Sequence, residues 1–131
     1  MEIHYKIIGI LLITLALAHI FLPSYFKWEK ELKALSLINQ QIMKVHTFFI
    51  ALTVFLIGFI CLTSTDELIN TPLGQKISLG FGIFWAFRLL IQFFWYSSKL
   101  WRGKKMETAV HISFSILWFY LSFIFLKVYF T

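Results

Sequence analysis

The sequence predicts an all-α membrane protein: four transmembrane helices in an up-down bundle, with a short amphipathic interfacial helix between helices 1 and 2. Three observations carry this. Of 131 residues, 60% are hydrophobic and only 14% charged, against about 25% charged in an ordinary soluble domain. The charges gather in short segments between long apolar runs, the pattern of helical membrane proteins. None of the runs alternates strictly or is short enough for a barrel strand.

The whole chain forms one integral membrane domain, with spans at about 5–22, 42–62, 77–96 and 108–130. Each run approaches the ~20 residues that cross ~30 Å of hydrocarbon at 1.5 Å per residue. The first contains Ala16-Leu17-Ala18, which imitates a signal-peptidase site. Glu2, His4 and Lys6 give no strongly positive segment ahead of it, and the positive charge follows the run, so an uncleaved span is expected.

In the first link, Tyr25, Phe26, Trp28, Leu32 and Leu35 interleave with Lys27, Lys30 and Lys33. Trp28, Leu32 and Leu35 share one helical face, which predicts an interfacial helix with lysines toward the lipid headgroups. The second span carries Asn39-Gln40-Gln41, Lys44 and His46 at its entrance and could begin as a helix at Ser36. The second link holds turn residues and Asn70-Thr71-Pro72, with Pro72 near the start of the next helix. Gly74, Ser78, Gly80 and Gly82 then offer small surfaces for close helix approach.

The links also set orientation. The first link holds Lys27, Lys30 and Lys33, with Lys44 just inside the next span, and Lys99, Arg102, Lys104 and Lys105 occupy the third. The opposite side has Lys6, Lys76 and Lys127, so eight basic residues face three, with Arg88 inside a span. The positive-inside rule then predicts a bacterial inner (plasma) membrane protein with both termini outside and the basic loops cytoplasmic. The net charge of +6 reads as topology and headgroup contact; too little soluble surface remains for a nucleic-acid partner. The single cysteine, Cys61, forms no internal disulfide and reads as an apolar core residue.

Polar residues converge at one depth. His19, His46, Gln92, Arg88 and His111 come from all four spans and fall roughly 6–12 Å inside the cytoplasmic boundary. On the third span Trp85, Arg88, Gln92 and Tyr96 share a stripe; on the fourth, Glu107, His111 and Ser115 do. On the second span Asn39, Met43, His46 and Thr53 fall near one face. Ionisable groups in hydrocarbon are costly and usually face an interior or a water-filled cavity.

Three neutral imidazoles suit zinc, iron or copper and leave a coordination position open. The expected metal ligands are His19, His46 and His111, with Glu107 as fourth ligand or as an orienting partner. Arg88 calls for an anion. Arg88, Gln92, Asn39, Trp85 and Tyr96 are the expected binding residues for a lipid-soluble or amphiphilic ligand. Coupled to catalysis, such a centre would perform metal-assisted redox or hydrolytic chemistry near the cytoplasmic leaflet. The remaining tryptophans, Trp118 among them, read as membrane belt and packing residues.

Two alternatives stand beside this. In one, two histidines bind haem b axially and Arg88 holds a propionate. In the other, the chain is a non-enzymatic membrane subunit or a small channel or transporter whose polar cluster pins helices or relays protons. A bundle this small has little internal volume, which leaves room for a homo-oligomer, although no interface is marked.

Overall fold

The computed structural model describes residues 1–94 and 103–131. Its elements, in order, are α1 (Glu2–Ala18), α2 (Leu22–Tyr25), α3 (Trp28–Glu31), a 3₁₀ turn (Leu32–Ala34), α4 (Leu37–Thr63), α5 (Thr65–Asn70), α6 (Pro72–Phe94) and α7 (Lys105–Phe130). The described residues contain helices and no strands. Among the described residues, three helices are long and apolar enough to cross a membrane: α4, α6 and α7.

The first helix is shorter than the predicted span. It ends at Ala18, and the chain leaves it through three successive i→i−3 bonds: His19 N–H to Ala16, Ile20 to Leu17 and Phe21 to Ala18. Pro23 explains the break, because a helical proline removes a donor and clashes with the carbonyl four residues earlier, here that of His19. The His19 Nδ1 lies 2.8 Å from the Leu15 carbonyl oxygen, which also accepts the His19 backbone N–H at 3.2 Å, so the ring folds back onto its own helix end. The resulting 17 residues span about 26 Å, just under the ~30 Å hydrocarbon thickness.

The predicted interfacial helix is also broken. It comprises two single-turn helices and a 3₁₀ turn, divided at Lys27, which takes left-handed φ/ψ of 53° and 48°. Trp28 and Leu32 remain half-buried while Lys27, Lys30 and Lys33 are exposed. Leu35 departs from that face because it is extended (φ −89°, ψ 155°) ahead of the next helix.

Helix α4 begins at Leu37, earlier than the apolar run itself. Ser36 Oγ accepts the Asn39 backbone N–H at 3.4 Å, and Gln40 Nε2 donates to the Leu35 carbonyl at 2.9 Å. The first contact serves an N–H that the first helical turn leaves unsatisfied, and the second ties the helix to the residue ahead of its cap. Deeper in the helix, Thr47 and Thr63 hydroxyls donate to carbonyls four residues back, which satisfies them without water.

The chain divides into two compact units, residues 2–65 and residues 66–131 with Met1. In the first, α1 packs on α4. Tyr5, Ile8, Leu12 and Ala16 on α1 are buried, as are Val54, Ile57, Gly58 and Cys61 on α4. Gly9 and Gly58 meet backbone to backbone: a Cβ on either would sit 2.8 Å from the other's carbonyl oxygen. This is the close approach that small residues permit between helices in lipid.

In the second unit, α6 packs on α7. Thr71 caps α6 by accepting the Gly74 N–H at 3.0 Å, with Pro72 as its first helical residue. Gly74 is pressed against the backbone of Glu67 and Leu68, where no Cβ fits. Further along, Leu126 fills the place a side chain on Gly82 would take, and Phe81 meets Phe125 edge-on at 5.4 Å. At the far end Gln92 reaches His111, so the pair is antiparallel. Gly103, at φ 78°, precedes the extended Lys104 that leads into α7.

Candidate functional site: a polar cluster between α6 and α7

The α6–α7 hairpin gathers several of the predicted residues. Trp85, Arg88 and Gln92 follow one another at spacings of three and four along α6, which puts them on one face. Phe114, Ser115 and Trp118 do the same beside His111 on α7. Trp85 and Gln92 are buried, at 2% and 8% exposure; Arg88, His111 and Ser115 are half-buried.

Gln92 is the hub. Its Nε2 lies 2.8 Å from His111 Nδ1, and its Oε1 accepts the Trp118 indole N–H at 3.4 Å. The indole nitrogen can only donate, so the amide oxygen must face Trp118 and the NH₂ must face His111. Nδ1 is then an acceptor, and the imidazole proton resides on Nε2. Ser115 Oγ donates to the His111 carbonyl at 2.8 Å, so this hydroxyl is satisfied within α7.

Trp118 is the aromatic centre. It stacks on Trp85 with centroids 5.1 Å apart and planes 8° from parallel, and on Phe114 at 5.5 Å and 21°. The Arg88 guanidinium carbon lies 5.3 Å from the Trp118 ring centroid, within cation–π range. Phe93 meets the His111 ring edge-on at 6.3 Å. The cluster therefore couples a cation, an amide, an imidazole and two indoles inside an apolar helix pair.

One group stands out from this satisfied network. Among the described residues, Trp85 Nε1 is a buried side-chain polar atom with no hydrogen-bond partner. Leaving such a donor unpaired costs about 1–3 kcal/mol, and a hydrocarbon environment offers no water to relieve it.

The remaining predicted residues are placed differently. His19 and His46 belong to the α1–α4 unit, and Glu107 and His111 to the α6–α7 unit. His19 is turned onto its own helix end, and His46 and Glu107 are exposed. Among the described residues no three His, Cys, Asp or Glu side chains are grouped so as to hold a metal ion. His19 and His111 each direct a ring nitrogen to a group of their own unit, the Leu15 carbonyl and the Gln92 amide. Asn39 is exposed at the start of α4, where its backbone N–H serves the cap. Tyr96 lies outside the described residues.

Trp118 is the site residue whose position in the sequence pointed to packing. Its signal was present, since it lies seven residues after His111 and three after Ser115 and so shares their face. No protein-family model, curated protein or solved structure matches this chain.

Proposed function

We propose that this chain is an integral membrane protein that binds an anionic amphiphile at the α6–α7 cluster, with the headgroup at Arg88. The proposal includes four crossings of a bacterial inner membrane, residues 1 and 131 on the outer side, and the basic links in the cytoplasm. The carrying observation is the half-buried Arg88 guanidinium over Trp118, beside a Gln92–His111 pair, in a stretch of α6 (79–94) that is otherwise apolar. A cation at that depth is expensive to keep and is usually retained for function. Gln92 holds the His111 tautomer and Trp118 carries the cation on its ring, so the protein fixes the headgroup site before a ligand arrives.

The α6–α7 hairpin ends in the link that carries Lys99, Arg102, Lys104 and Lys105. Those charges draw anionic lipid to the same end of the hairpin, since each basic residue near a membrane surface is worth about 1 kcal/mol.

The test is binding of phosphatidic acid with brominated acyl chains to the purified chain, read by tryptophan quenching. Saturable binding, well above that of brominated phosphatidylcholine, and a loss of about tenfold or more in Arg88→Gln are expected. Equal quenching by both lipids would remove the proposal.

A second reading is that the cluster only pins α6 to α7. The double use of the Gln92 amide by His111 and Trp118 favours it. Under that reading Arg88→Gln alters stability and leaves lipid selectivity unchanged. The metal and haem readings need the α1–α4 histidines to join His111; absorbance and elemental analysis of one purified sample test both.

A further inference from the structure

The unpartnered indole N–H of Trp85 narrows the ligand class. Trp85 lies three residues before Arg88 on α6, about 4.5 Å farther from the basic end of the hairpin along the helix axis. It shares the face that carries Arg88 and Gln92, and it is stacked on the same Trp118 ring that Arg88 covers. The ring is buried and stacked on Trp118, and its Nε1 is out of contact with solvent. Neighbouring polar groups do not use it: the Gln92 oxygen is taken by Trp118.

We propose that Trp85 donates this hydrogen bond to a neutral carbonyl of the bound ligand, one helical turn deeper than the anionic group at Arg88. An anionic headgroup with an ester carbonyl just below it is the chemistry of an acidic glycerolipid. A single-headed carboxylate has its charge and its carbonyl in one group and cannot satisfy both positions. This inference rests on the anionic-amphiphile reading and assigns the ligand's second polar group.

The experiment compares ester with ether linkage. Full-length protein in micelles is loaded with brominated diacyl phosphatidic acid, which is then displaced by unlabelled diacyl or dialkyl phosphatidic acid. The two competitors share phosphate and chains and differ in the carbonyls alone. Wild type is expected to prefer the diacyl lipid by about fivefold, the worth of one ordinary hydrogen bond. Trp85→Phe keeps an aromatic ring and removes the N–H; it is expected to bind both lipids equally, at the affinity wild type shows for the ether lipid. The comparison on wild type needs no variant to fold.

Equal displacement of wild type by both lipids, or an ester preference that survives in Trp85→Phe, overturns the role of Trp85 and leaves the anionic site at Arg88 standing. Absence of any saturable binding of the brominated lipid removes both.

Discussion

Gln92 on α6 donates through Nε2 to Nδ1 of His111 on α7, at 2.8 Å, while its carbonyl oxygen accepts from Trp118. One side chain thus ties two positions of α7, seven residues apart, to a single turn of α6. Arg88, a turn earlier on α6, rests on the second of those positions. The pairing is what holds a cation, an imidazole and two indoles at one end of an apolar hairpin.

The coupling between these two residues is measurable. Gln92→Leu and His111→Leu are each expected to destabilise the hairpin, and the double variant to lose less than their sum. Interhelical hydrogen bonds in membranes contribute about 0.6–2 kcal/mol, so a double-mutant cycle on unfolding in bicelles is expected to return a coupling in that range. Strict additivity would mean that the bond does not form.

The glycines separate by what surrounds them. Gly9 and Gly58 face each other's carbonyl oxygens across α1 and α4, whereas a Cβ on Gly80 meets nothing within 4 Å. Gly9→Ala and Gly58→Ala are expected to lower stability by about 1–3 kcal/mol, the cost of overpacking. Gly80→Ala is expected to be neutral or to stabilise by up to about 1 kcal/mol, because alanine is the better helix former. Equal effects at all three positions would contradict the α1–α4 packing.

Whether α1 crosses the membrane decides the parity of the fold. Three crossings put residues 1 and 131 on opposite sides; four put them on the same side. Reporter fusions or accessibility labelling at the two positions are expected to place both outside, opposite Lys104 and Lys105. Opposite locations would assign α1 to the interface.

The long apolar helices were legible because the bilayer fixes their length and composition, and α4, α6 and α7 follow from the runs alone. The ends were less legible. Pro23 stops α1 at Ala18 through a backbone clash with His19, which a hydropathy pattern does not register. The extension of α4 to Leu37 was foreshadowed by Ser36, a capping residue. Within the site, the stripe Trp85–Arg88–Gln92 was readable from spacing because neighbouring turns of one helix are fixed relative to each other. Trp118 lies on the face of His111 and Ser115 as well, but an aromatic in a transmembrane run has the same signature whether it packs or binds. The metal quartet drew on depth matching across three separate helices. Depth says nothing of azimuth, and His46 and Glu107 are on exposed faces.

Native mass spectrometry of the chain released from mixed bilayers tests the central claim most directly. With phosphatidylcholine in excess over phosphatidic acid, wild type is expected to retain one anionic lipid per chain and Arg88→Gln to retain none above background. Retention of the two lipids in proportion to their abundance, or the same anionic adduct on Arg88→Gln, would contradict a headgroup site at Arg88.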